Sequence, residues 1–220
     1  ARREKREVVL GAVAAFGSLT VRSGNRLGLI VAGGDRLRQM PPRQGRNSVL
    51  AALALIYDTP RFTSPPAEGA DLASALSRAV RTQRRHGQII VVSDFLDHGW
   101  ESPLCRLSLR HQVVAVQVVD PRELELPPVG MLAVVDAETS HLLHVQTNDP
   151  TLRARYAAAA STRSDHIRGA IVGSGAEHLV LSTARDWVID VVRYIGARKA
   201  GRVGHEPVAV GYPAGPRGAR

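Results

Sequence analysis

The stretch GQIIVVSDFLDHG, residues 87–99, decides the reading of this chain. Four β-branched residues, Ile89 to Val92, run without alternation into Ser93 and Asp94. So short and apolar a run, opened by glycine, reads as a strand buried on both faces. It ends by delivering a carboxylate. A second such run, QVVAVQVV at 112–119, is closed by Asp120-Pro121.

Working outward, helices and strands alternate. Residues 4–21 have helical spacing, with Val8, Ala12, Ala15, Phe16 and Leu19 on one face. Residues 26–32 (RLGLIVA) are a strand. Gly33-Gly34-Asp35 is a turn, residues 36–40 return as a short edge strand, and Pro41-Pro42 closes that unit. Asn47 caps a helix running to Tyr57. Residues 59–69 form a Pro-rich loop, and 71–85 an amphipathic helix with Leu72, Ala75, Leu76, Ala79 and Val80 inward. Beyond strand 88–93 come a short helix at 103–110, strand 112–119, a hairpin of 131–136 with 141–146, a long helix at 150–172, a strand at 177–181 and a helix at 187–195. The pattern predicts an α/β fold of three layers, a mostly parallel sheet with helices on both faces. Ligands of such sheets bind beyond the carboxyl ends of the strands, where Asp94 sits.

Composition narrows the classes. With 44% hydrophobic residues in 220, a substantial core is available, but aromatics are only 4%, so Val, Leu, Ile and Ala must build it. No run approaches the roughly 18 apolar residues of a membrane span. The single cysteine, Cys105, excludes an internal disulfide and suits a reducing, cytoplasmic compartment; it reads as a small core or boundary residue. The net charge is +9, yet only Lys5 and Lys199 are lysines, which points to coding bias more than to a nucleic-acid surface. Near the C-terminus Arg198, Lys199, Arg202, Arg217 and Arg220 face only Glu206. Residues 199–220 are rich in Gly and Pro without apolar periodicity and read as a disordered basic tail.

Other constellations are weak. Ser93, Asp94 and His98 or His111 would make a hydrolase site, but there is no G-x-S-x-G elbow. His141 and His144 fall on opposite faces of a strand, against a zinc site. No phosphate-cradling glycine motif occurs. Arg78, Arg81 and Arg85 line one helical face, whose ordinary meaning is a solvated surface. Tyr156 and Trp187 read as core or boundary aromatics.

The segments RLGLIVAGGDRLRQMPPRQGR, GADLASAL, GQIIVVSDFLD and VVAVQVVDPRELELPPVGMLAVVDAET resemble a von Willebrand factor A-like domain. More closely, they resemble a bacterial domain-of-unknown-function family with that fold, often encoded beside MoxR-type AAA+ ATPases. The resemblance covers residues 1–198 as one domain. It implies a metal-ion-dependent adhesion site in which three loops hold Mg²⁺ through oxygen ligands. Asp94 matches the third loop's aspartate. The second loop reads Gly69-Ala70-Asp71-Leu72, with alanine where threonine is usual, so Asp71 is the ligand it offers. Ser93 and Asp97 would flank the binding face. The residues alone give plainer roles: Asp71 as the cap of the helix it precedes, Asp97 as a turn or cap residue ahead of the next helix. The first loop's Asp-x-Ser-x-Ser does not occur. The family's sheet order, 3-2-1-4-5-6, implies a first central strand between 26–32 and 88–93, and the expectation is that this strand is missing and the domain incomplete at its N-terminus. The function implied is non-catalytic: a protein-interaction module with a MoxR-type AAA+ ATPase as partner and no role in membranes. The rival expectation is a basic nucleic-acid-binding protein without metal, to be separated by steep salt dependence.

Overall fold

The structure, a computed structural model, describes residues 4–33, 36–60, 71–135 and 142–201. Its elements in chain order are α1 (Lys5–Arg22), β1 (Leu27–Val31), β2 (Arg38–Arg43), α2 (Arg46–Tyr57), α3 (Leu72–Thr82), β3 (Gln88–Ser93), α4 (Glu101–Ser108), β4 (Gln112–Val119), β5 (Met131–Val135), β6 (Leu142–Gln146), α5 (Pro150–Gly173), β7 (Glu177–Ser182) and α6 (Trp187–Lys199). Two compact units emerge. One is built from residues up to 119 together with those from 170 onward, the other from residues 120–169.

The larger unit is organised on a parallel sheet of order β3-β4-β7. The continuous apolar run of β4 does what such a run predicts, because β4 lies between two strands and is buried along nearly its whole length, whereas β3, expected to be buried on both faces, is an edge strand among the described residues and buries only Val91. One face of the sheet presents Val114, Val116 and Val118 from β4 and Leu179 and Leu181 from β7. They meet Val8, Ala12 and Phe16 of α1 and Val191 and Tyr194 of α6 in one cluster. Phe16 and Tyr194 pack edge to face, centroids 6.2 Å apart. The other face presents Val113 and Ala115, and α4 packs on β4 there with Leu104 and Leu107 buried. The result is a mixed α/β unit with a three-stranded parallel sheet flanked by helices.

At Gly11 of α1 a Cβ would come within 2.2 Å of the Trp187 ring, so the indole rests on bare helix backbone. Four further helices depart from expectation at their ends. α2 begins at Arg46 behind Gly45, whose φ of 86° needs glycine, and Asn47 is not its cap. α3 stops at Thr82. α4 starts at Glu101, placing Pro103 in the first turn, where a missing N–H costs nothing. α6 continues to Lys199. Cys105 is exposed, not a core or boundary residue, because Pro103, Leu104 and Leu107 take the inner face of α4.

β1 and β2 form a separate antiparallel pair. Pro41-Pro42 does not end β2, which runs on to Arg43; on an edge strand a proline's lost donor can face outward. A Cβ at Gly28 would lie 3.1 Å from Pro42, so glycine admits the ring. Among the described residues β1 pairs only with β2, and β3 only with β4. The two strands expected to flank a first central strand therefore do not pair with each other among the described residues. α1 contacts β1, β3 and β4 and so touches both sheets.

In the smaller unit β5 and β6 pair antiparallel as the predicted hairpin, whose turn at 136–141 lies outside the described residues. Thr147, fully buried, accepts the Val129 N–H and donates to the Gly130 carbonyl. The tail from residue 202 also lies outside the described residues. No described helix is long and apolar enough to cross a membrane.

Candidate functional site

β3 hands the chain to a loop that is held by its own residues. Ser93 Oγ accepts the Phe95 N–H at 3.1 Å and Asp94 Oδ1 accepts the Leu96 N–H at 3.3 Å, two side-chain turns in succession. Phe95 has φ of 60°, the one non-glycine in the left-handed region among the described residues. That conformation costs a bulky residue roughly 1–3 kcal/mol. Phe95 is nevertheless only 2% exposed, packed edge to face on Trp100 at 5.0 Å, itself 1% exposed. Burying such a ring is worth about 3–5 kcal/mol, so packing wins and the strain persists. The loop thus hangs on two aromatic anchors, and the residues between them face outward.

The expected site residues divide into two groups. Asp71 caps α3, its Oδ1 accepting the Ser74 N–H at 2.6 Å. Asp97 reaches the same helix end, its Oδ2 accepting the Leu72 N–H at 3.0 Å. Two carboxylates at one helix N-terminus suit its positive dipole end, and they tie the loop to α3. Asp94 does not join them. Its Oδ2 lies 2.9 Å from Nζ of Lys5 in the first turn of α1, the two side chains 37% and 26% exposed. Next to Lys5, Arg6 donates to the carbonyls of Ile56, Tyr57 and Thr59 at the end of α2 and lies over the Tyr57 ring.

The donor set does not fit the implied Mg²⁺. That ion wants near-octahedral oxygen coordination. Asp94 already holds an ammonium, Asp71 and Asp97 each give one oxygen to a backbone N–H of α3, and among the described residues no group of three His, Cys, Asp or Glu is placed to hold a metal. Gly69, Ala70 and His141 lie outside the described residues. The hydrolase grouping does not assemble either. Ser93 Oγ makes its hydrogen bond with the Phe95 N–H and none with His98, and His111 adjoins the start of β4, whereas Ser93 ends β3, about 17 Å away along the strand. Burial, and then the charge of neighbouring His86, hold His111 below its ordinary pKa.

Sequence reasoning missed Lys5, Phe95 and Trp100. Lys5 carried a signal, as one of only two lysines in an arginine-dominated chain. Its encounter with Asp94, 89 positions away, is tertiary.

The uncharacterized protein Rv1480 of Mycobacterium tuberculosis and Mb1516 of Mycobacterium bovis are each 38% identical to this chain over 205 residues, 92% of its length. The chain spans 64% of the length of each of these relatives. MAV169 of Mycobacterium avium is 37% identical over 166 residues, covering 75% of this chain and 96% of that protein. Among solved structures, BatB from Bacteroides thetaiotaomicron aligns with a TM-score of 0.47 at 16% identity, over 88% of this chain and 89% of that one. An aerotolerance-related membrane protein from Bacteroides fragilis aligns with a TM-score of 0.48 at 14% identity, over 88% of each chain. The model of the family described as protein of unknown function DUF58 matches residues 1–166, three quarters of the sequence, and the chain belongs to that family.

Proposed function

We propose that this chain is a non-catalytic protein-interaction module, a von Willebrand factor A-like partner of a MoxR-type AAA+ ATPase, and that it meets its partner beyond the carboxyl end of β3. The observation that carries this is the loop after β3. A strained, aromatic-anchored turn fixes Asp94 at the sheet edge with Lys5 against it, and a prepositioned charged pair is what a partner surface can read without a further ordering cost. No nucleophile with an adjacent base accompanies it among the described residues. The face needs no metal, since Lys5 supplies the positive charge that an ion would bring to Asp94.

The test is affinity for a MoxR-type ATPase from the same genome, measured by biolayer interferometry with the wild-type chain and with Asp94→Asn. The substitution removes charge and keeps shape, and an exposed pair contributes only about 0–1 kcal/mol to folding. The expected result is a weakening of about tenfold or more with the melting temperature nearly unchanged. Equal affinity of the two proteins, or no binding by either, would refute the proposal.

A further inference from the structure

We propose that the opposite end of the parallel sheet is a second docking surface, one that takes an acidic segment of a partner protein. It lies about 20 Å from Asp94, the length of β3, and does not depend on the reading of that face.

Two chain turns build the surface. α3 ends at Thr82 and runs through Arg84, Arg85 and His86 into β3, while α4 ends beside Leu109, Arg110 and His111 before β4. The turns lie side by side. The Gln112 N–H donates to the Gly87 carbonyl at 3.0 Å, and the rings of His86 and His111 stack with centroids 6.4 Å apart. Arg84, Arg85 and Arg110 are all exposed, and none makes an ion pair among the described residues. The carboxylate at this end of the sheet, Glu177, is already engaged by the Tyr194 hydroxyl and by Arg198 at 3.7 Å. The positive charge continues up α3. Arg81 and Arg78 stand one turn apart there, with the hydroxyls of Ser74 and Ser77, along one open cleft.

Several guanidinium groups without counter-charge repel one another, and an anionic partner relieves that repulsion on binding. The composition of the patch favours one kind of anion. Guanidinium forks pair with carboxylates and phosphates alike in two parallel hydrogen bonds, so the forks alone do not choose. Leu109, 80% exposed beside Arg110, offers an apolar contact that suits a peptide side chain. The stacked His86 and His111 are the aromatic rings of the two turns, while Phe, Tyr and Trp, the usual stacking platforms for single-stranded nucleic acid, are absent from them.

The experiment is fluorescence anisotropy in about 0.15 M salt. Three probes are titrated with the chain: a labelled glutamate-rich peptide containing one leucine, the same peptide with glutamine for glutamate, and a single-stranded oligonucleotide of matching charge. The expected result is saturable binding of the acidic peptide, none of the glutamine peptide, and weaker binding of the oligonucleotide. Arg84→Glu/Arg85→Glu/Arg110→Glu should weaken the acidic peptide about tenfold or more. The milder set Arg84→Gln/Arg85→Gln/Arg110→Gln should move it in the same direction, with the wild-type circular dichroism spectrum retained. Oligonucleotide binding as tight as that of the peptide would overturn the proposal in favour of nucleic acid. Unchanged peptide affinity in both variants, or no saturable binding by the wild type, would reduce the patch to a solvated surface. No ATPase is present in this assay, so loss of the Asp94-dependent contact leaves its result standing.

Discussion

Replacing Gly11 by alanine sets two known effects against each other. Alanine is the better helix former by about 1 kcal/mol, and Gly11 lies inside α1, so propensity alone predicts stabilisation. The new Cβ, however, would stand 2.2, 2.5 and 2.8 Å from Cζ2, Cη2 and Cε2 of Trp187. Carbon atoms attract at about 3.5–4.0 Å, so the indole must retreat by more than about 1 Å. Trp187 opens α6 and packs against the central cluster, so its retreat loosens the α1–α6 contact. Overpacking of this kind costs about 1–3 kcal/mol, more when a large rigid ring is displaced. The expected net loss is about 1–2 kcal/mol, or about 3–6 °C in melting temperature. Gly196→Ala is the control, since in α6 an added Cβ meets nothing within 4 Å. It should stabilise by up to about 1 kcal/mol. The same substitution thus has opposite signs at two sites. In a Trp187→Ala background the clash disappears and Gly11→Ala should become favourable, which a double-mutant cycle followed by circular dichroism would show. A Gly11→Ala protein as stable as the wild type, or equally destabilised with and without Trp187, would refute the reasoning.

Other perturbations follow from the same geometry. Phe95→Ala should cost about 3–5 kcal/mol in urea unfolding, because it empties the ring's buried site while alanine's Cβ keeps the left-handed strain; a loss below about 1 kcal/mol would show that the ring does not anchor the loop. Asp190 is buried, and burial first, with Asp186 adding and Arg185 and Arg193 opposing, raises its pKa. The folded state then holds that proton more tightly than the unfolded state, so its contribution is present in acid and lost as pH rises through the raised value. Asp190→Asn should therefore raise the melting temperature at neutral pH and give no gain near about pH 3. Tyr194 is raised far above its usual range by burial and then by its hydrogen bond to Glu177. Stability should accordingly fall as pH climbs above about 10, and Tyr194→Phe should flatten that fall in an alkaline unfolding series.

The strands were the most legible part of the sequence. β3 and β4 run over the residues read from their apolar runs, because a largely β-branched stretch marks a strand's span whether it lies inside the sheet, as β4 does, or at its edge, as β3 does among the described residues. Helix ends were harder. Asn47 looked like the cap of α2, but Gly45, at a φ of 86° that favours glycine, takes that place and the helix begins two residues earlier. At the site, the role of Asp71 as a cap was written locally, three residues from the N–H it satisfies, whereas Asp97, read as a turn or cap residue ahead of the next helix, reaches back 25 positions to the start of α3. The partner of Asp94 was not local either. No local pattern links Lys5 to a strand end 89 positions on, since only the docking of α1 across the sheet makes them neighbours. The strain at Phe95 was equally hidden, because phenylalanine is among the last residues that local preference would assign to the left-handed region.

That difference in range gives the Asp94 loop two layers of persistence. Its shape is set within eight residues, by Ser93, Phe95 and Trp100, whereas its charge balance is set by the first turn of a helix from the far end of the unit. Helix termini fray at far lower free energy than cores open. Here Arg6, bonded to three carbonyls at the end of α2, and the capping box of Glu4 with Glu7 hold that turn closed, so Lys5 stays against Asp94 and the face presents a paired carboxylate on a surface already in shape.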